Sequence, residues 1–208
     1  LLMKSIVLLF FLSSCSFFGI QNEEGPKYRI LKKDGDFEIR EYEPYIIAKT
    51  TVKGTYEEAS GKAFKILAGY IFGKNKNDKK IAMTSPVEVK AKNSKKIAMT
   101  APVEMRSEGK SFTMAFSMPS KYTMKDLPRP EDDRVAFEKI NSKIVAVHRF
   151  TWFLSEKRSE KKALELRKWL EQFKTYKTKK GYTFAGYNPP WTIPFLRRNE
   201  VFVELESI

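Results

Sequence analysis

The segment KKIAMTSPVE, residues 79–88, returns sixteen residues later as KKIAMTAPVE, residues 95–104, with Ser85 against Ala101 as the one difference. An extended chain turns successive side chains to opposite faces. Ile81, Met83, Val87 and Val89 then share one face of the first copy, and Ile97, Met99, Val103 and Met105 share the matching face of the second. Each copy reads as an amphipathic strand. The polar residues 90–96 between them predict an antiparallel hairpin that joins the two copies. Pro86 and Pro102 lack a backbone donor and belong at a bulge, a bend or an unpaired edge. Two copies are too few for a solenoid, which needs three or more.

Residues 28–33 and 37–42 alternate apolar and polar around Asp34-Gly35-Asp36, a hairpin signal. A strand follows over 45–52. Thr55 and Glu58 have capping-box spacing, and Tyr56, Ala59, Ala63, Phe64, Leu67 and Ile71 recur at helical intervals, so a helix is predicted over 56–72 with Gly73 as its stop. Residues 111–118 add a strand, and 120–134 form a proline-bearing connection. Strands are predicted over 135–140 and 144–152. A helix capped by Ser155 or Ser159 then runs to about residue 176, with Ala163, Leu166, Leu170 and Phe173 on one face. Strands over 182–187 and 201–205 flank the break at Asn188-Pro189-Pro190. Each half is thus strand, helix, strand, strand. That order predicts an α+β fold, a pseudo-twofold duplicated βαββ with a mainly antiparallel sheet and two helices.

The chain has 208 residues, 42% of them hydrophobic, which suffices for one substantial core. Its net charge is +14, carried by 29 Lys against 10 Arg and spread along the chain. Phosphate recognition favours arginine forks, so nucleic acid is not an expected partner, and the sharper reading is an anionic membrane or ligand. Near the N-terminus Lys4 precedes an apolar run over 6–12 and then Leu12-Ser13-Ser14-Cys15, the one cysteine of the chain. The run is too short to span a bilayer. The arrangement resembles a bacterial lipoprotein signal, which implies lipidation of Cys15 and a place in the cell envelope, anchored on the extracytoplasmic side. The expected organisation is a signal and lipobox over 1–15, a flexible tether over 16–27 and a single domain over 28–206.

The doubled IAMT[SA]PVE, the strand VAVHRF at 145–150 and the stretch from GYNPPW at 186–191 to RRNEV at 197–201 resemble the SOUL haem-binding protein family. The resemblance implies a distorted β-barrel related to bacterial effector-binding domains of the gyrase-inhibitor type. It also implies a haem, porphyrin or other tetrapyrrole bound in an apolar cleft beside the first helix. Such a ligand needs an apolar wall and cations for its carboxylates. Phe64, Leu67, Ile71, Trp191 and Phe195 are the candidate wall, and Lys65, Arg197 and Arg198 the candidate cations. Arg197 and Arg198 have an alternative as partners of Glu200. Gly61 and Gly69 occupy first-helix positions where the family's cleft cations are proposed. His148, the one histidine, is the candidate axial ligand, although its strand position opposite Val145 and Val147 suggests exposure. Met83, Met99, Met105, Met114 and Met118 read as core or cleft filler. With one histidine and no HExxH, CxxC or P-loop pattern, the chain is not expected to be an enzyme. The related fold includes hydrolases with a cleft carboxylate, for which Glu88, Glu104 and Glu200 are the candidates. A ligand-free envelope interaction module is the remaining alternative.

Overall fold

The computed structural model describes residues 24–91, 111–189 and 191–207. The chain opens with a hairpin of β1 (Tyr28–Asp34) and β2 (Phe37–Tyr42). Asp34 pairs with Phe37, so Gly35 and Asp36 alone make the turn. Gly35 takes φ 53°, a left-handed value that glycine adopts without a Cβ penalty. β3 (Tyr45–Lys53) leads into α1 (Tyr56–Ile71). Both halves of the capping box form: the Thr55 side chain accepts from the Glu58 N–H, and the Glu58 side chain accepts from the Thr55 N–H. Gly73, at φ 118°, turns the chain away after the helix.

β4 (Val87–Ala91), β5 (Ser111–Ser117), β6 (Ala136–Ile140) and β7 (Lys143–Phe150) follow. α2 (Glu156–Leu170) is capped by the Ser155 hydroxyl, which accepts from the Arg158 N–H. β8 (Tyr176–Thr178), β9 (Thr183–Gly186) and β10 (Asn199–Ser207) complete the described chain. Among the described residues ten strands form one sheet, in the order β1-β2-β7-β10-β9-β4-β5-β3-β6, with β8 joined to β10. Every pairing is antiparallel. β4 and β9 meet at the centre, and the order reads alike outward from them: β5 then β3 on one side, β10 then β7 on the other. α1 lies on β3 and β5, and α2 lies on β7 and β10. The expected duplicated α+β architecture is what this order displays.

The main core lies between sheet and helices. Ala59, Ala63, Leu67 and Ile71 of α1 and Ala163, Leu166 and Leu170 of α2 meet Phe112, Phe116, Phe184, Val201 and Val203 of the sheet. Fully burying one such large side chain stabilises the fold by about 1.5–3 kcal/mol. A smaller cluster of Tyr42, Val145, Val147, Ala185 and Phe202 covers the other face.

Three expectations change. The first repeat copy is a strand only from Val87 onward. Before it, the Ile81 N–H donates to the Ile71 carbonyl (2.8 Å), the Ser85 N–H to the Glu24 carbonyl (2.9 Å), and Pro86 has no donor. The expected facing holds, since Ile81, Met83, Val87 and Val89 all pack against the core. The partner does not: β4 is flanked by β5 and β9, so both of its edges are taken. The second copy, residues 95–104, lies outside the described residues, as do Met99, Pro102, Glu104 and Met105. Finally, α2 stops at Leu170, and β8 begins where more helix was expected. No glycine or proline marks that stop. The Phe173 ring instead sits edge-on to Trp169 at 4.9 Å and beneath the Lys32 ammonium at 4.3 Å, and helix gives way to this packing.

Candidate functional site

A cavity of about 700 Å³ opens where three segments meet strand β6: residues 24–27 ahead of β1, 43–46 entering β3, 118–125 after β5, and Lys139 on β6. This lies within the roughly 300–1,000 Å³ of small-molecule pockets. Pro26, Pro44, Pro119, Tyr45, Ile46, Met118, Tyr122 and Met124 supply its apolar wall, and Lys27, Lys125 and Lys139 its cations, with Glu24 and Glu43 as the acids. Backbone bonds fix these segments. The Met118 N–H donates to the Ile46 carbonyl (2.7 Å), the Glu43 N–H to the Lys27 carbonyl (3.0 Å) and the Tyr122 N–H to the Pro119 carbonyl (3.0 Å). The Ser120 N–H donates to Glu24 Oε1 (2.9 Å), and bonds from Ser120 hold the Glu24 carboxyl below its ordinary pKa. A Cβ on Gly25 would lie 2.5 Å from the Ser85 carbonyl oxygen, so the close approach of this segment to the repeat requires glycine. The last residues of the expected tether are therefore docked against the domain.

Tyr45 connects the cavity to a buried charged network on the face away from the helices; its ring lies 6.2 Å from Tyr42. Burial, with Glu88 next in effect, pushes the Tyr45 hydroxyl far above its ordinary pKa and keeps it a neutral phenol. Arg40 forms two bonds of 2.9 Å to the two carboxylate oxygens of Glu200, and its Nε donates to Glu38 at 2.7 Å. Arg198 donates twice more to Glu200, at 2.7 and 3.0 Å. The Tyr187 hydroxyl also donates to Glu200. The Tyr28 ring lies 4.5 Å from the Arg40 guanidinium, and the Tyr187 ring 4.1 Å from that of Arg198. Burial alone would raise the Glu200 pKa; the bonds from Arg40 and the two guanidinium charges outweigh it and hold the carboxylate below its ordinary value. Glu88, across Ala185 from Glu200, is displaced the other way, because burial dominates there.

The residues singled out from sequence fall in several places. Leu67 and Ile71 are enclosed in the core and offer no wall to a ligand. Phe64 is half-exposed, its ring 5.6 Å from Phe116, and Lys65 is exposed beside it. Trp191 and Phe195 are exposed on the loop after β9. Arg197 Nε donates to the Thr192 carbonyl (2.8 Å), and Arg198 is committed to Glu200. None of these residues lines the 700 Å³ cavity. Of the lining residues Met118 alone was named, as core or cleft filler; Tyr45, Ile46 and Lys139 lie on strands β3 and β6, and the others lie on connections, where no periodicity marks them. The one signal was composition: KYTMKDLPRP, residues 121–130, puts Tyr122, Met124 and Lys125 within four positions.

His148 corrects the expectation of exposure. It is buried on the α2 side of β7, because both faces of that strand are covered. Its ring lies 4.2 Å from that of Phe37, and it borders a second cavity of about 300 Å³ with Asp36, Arg149, Arg158 and Lys162. A carbonyl only accepts, so Nδ1–H donates to the Lys162 carbonyl at 3.3 Å. Burial, the leading cause, depresses the imidazole pKa below its ordinary 6.5; the Lys162 charge adds to this, and the Lys162 carbonyl, Glu165 and Asp36 oppose it. Between 6.5 and the lower folded value, the unfolded chain binds a proton that the folded chain refuses. This contribution is complete above pH 6.5 and is lost as pH falls through that window. Thermal melts at pH 7.5 and 5.5 should show a smaller loss for His148→Gln than for the wild type, and an equal loss would contradict this.

Among the described residues no group of three His, Cys, Asp or Glu side chains is placed to hold a metal ion, and no helix is long and apolar enough to cross a membrane.

Comparisons with known proteins agree with this architecture. The chain is 32% identical over 188 residues to "Heme-binding protein 1" of Xenopus tropicalis, covering 89% of this chain and 93% of that one. It is 32% identical over 171 residues to "Heme-binding protein 2" of Mus musculus, covering 81% and 78%. Its fold is similar to the EcmrR C-terminal domain, with TM-score 0.59, 9% identity and coverage of 87% of this chain and 99% of that one. It is also similar to a hydrolase from Listeria innocua, with TM-score 0.55, 11% identity and coverage of 85% and 94%. At such low identity these two structures speak to the fold alone. Residues 23–204 match the family described as "SOUL heme-binding protein", and the chain belongs to that family.

Proposed function

We propose that the protein is a lipid-anchored, extracytoplasmic binding protein for haem or a similar tetrapyrrole, with the ligand seated in the 700 Å³ cavity. The observation that carries this reading is the lining itself, apolar and aromatic walls with three lysines, in a chain of this family. The macrocycle buries its faces against Tyr45, Ile46, Met118 and Tyr122, and Lys27, Lys125 and Lys139 meet its carboxylates. When bound, haem supplies an iron that takes a His, Met, Cys or Tyr ligand. Met118 and Met124 place thioethers in the wall, whereas His148 borders the other cavity and Tyr45 is held neutral. Titration of the protein with haemin at micromolar concentration should shift the Soret band and quench tryptophan fluorescence. An unchanged spectrum rejects the reading. His148→Ala should leave the shifted band in place.

The anchor rests on the lipobox-like LSSC, residues 12–15. In a bacterial host, labelled palmitate should enter the wild type and not Cys15→Ser. Equal labelling of both would refute lipidation at Cys15.

A further inference from the structure

Two short segments after β7 and β9 place five large apolar side chains together in solvent. Trp152, Phe153, Trp191, Phe195 and Leu196 are 37–63% exposed. The segments are bonded to each other: the Trp152 N–H donates to the Pro194 carbonyl (2.8 Å), and Asn199 Nδ2 donates to the Trp152 carbonyl (2.8 Å). The Trp152 and Phe153 rings stand perpendicular at 6.1 Å, the Arg197 guanidinium lies 4.8 Å from the Phe153 ring, and Arg158 Nη1 donates to the Phe153 carbonyl (3.3 Å). Trp152 takes φ 82°, a left-handed value that a bulky side chain rarely adopts. Strain at a residue whose ring adds little to the core points to a surface use.

We propose that this face docks on an anionic lipid surface, with the aromatic rings at headgroup depth and the cations on lipid phosphates. Tryptophan is favoured at membrane interfaces because one end is apolar and the other polar. The charged residues that flank the two segments in the chain are Arg149, Lys157, Arg158, Arg197 and Arg198 against Glu156 and Glu200, of which Arg198 is paired with Glu200, and the cationic excess complements anionic lipid. The same excess opposes a second copy of the chain as occupant, since a twofold contact lays a patch on itself and brings like charges together. The proposal depends neither on the tetrapyrrole cavity nor on Cys15.

The chain has three tryptophans, so their fluorescence reports the face directly. Trp169 is the reference: its ring stacks on Phe37 at 5.2 Å, and its Nε1–H donates to Asp34 at 2.8 Å. Trp169→Phe retains Trp152 and Trp191. The double variant Trp152→Gly, Trp191→Ser retains only Trp169, and glycine relieves the strained φ, so folding is preserved and is checked by circular dichroism. With full-length protein on vesicles of brominated phosphatidylglycerol, the first variant should be quenched about twofold or more beyond its quenching on brominated phosphatidylcholine. The double variant should show little quenching on either. Absence of quenching in Trp169→Phe, whether or not the chain sediments with the vesicles, overturns the proposal. So does a lipid-free dimer in which Trp152 and Trp191 are already shielded.

Discussion

Glu200→Gln should lower the unfolding free energy by about 3–5 kcal/mol, because it leaves buried guanidinium charge without its counter-charge. Arg40 is 2% exposed at its side chain and Glu200 is 0% exposed, so neither can turn to water. The lost contribution is not that of one ion pair. Four bonds from Arg40 and Arg198 and one from Tyr187 converge on this carboxylate. Urea melts measure the loss. A double replacement of Arg40 and Glu200 by methionine should recover part of it, since the two enclosed charges leave together, Arg198 is 24% exposed, and Glu38 keeps Lys33 at 3.3 Å. A loss under about 1 kcal/mol for Glu200→Gln would mean that the pair is solvated in solution. The pH dependence has a definite sign. The folded Glu200 pKa lies below its ordinary 4.5, so the contribution is complete above that value and is lost as pH falls through the folded pKa.

This network shows where sequence reading runs out. Arg40 and Glu200 are 160 positions apart and meet because β2 and β10 both flank β7. Nothing local to Arg40 marks it as buried. The pairing of Arg198 with Glu200 was legible as one alternative, since the two lie two residues apart in the chain. Local features were read well for the same reason. The Asp34-Gly35 turn, the Thr55–Glu58 capping box and the Ser155 cap each depend on neighbours within about four positions. The strand face of Ile81, Met83, Val87 and Val89 followed from alternation, but the identity of the neighbouring strand did not. A strand has two edges, and which segments fill them is decided by the whole sheet; here they are β5 and β9. The apolar stripe of α1 correctly marked Leu67 and Ile71 as one face, and periodicity has no means to separate a core face from a ligand wall.

The second large effect concerns the cavity. Lys125→Glu combined with Lys139→Glu should weaken haemin binding by roughly tenfold to a hundredfold, because the ligand carboxylates would then face like charge. Both lysines are exposed, so the fold should persist with an unchanged urea midpoint. Weakened binding with normal stability distinguishes loss of a ligand contact from loss of structure.

The proposed ligand position lies between residues 24–27, 43–46 and 118–125. Haemin titration of an Ile46→Trp variant, whose larger ring projects into that space, tests it most directly when set beside Phe64→Ser on α1. The Soret shift should be lost in Ile46→Trp, and Phe64→Ser should keep wild-type affinity. Wild-type affinity in Ile46→Trp together with loss in Phe64→Ser would place the ligand beside α1 and contradict this position.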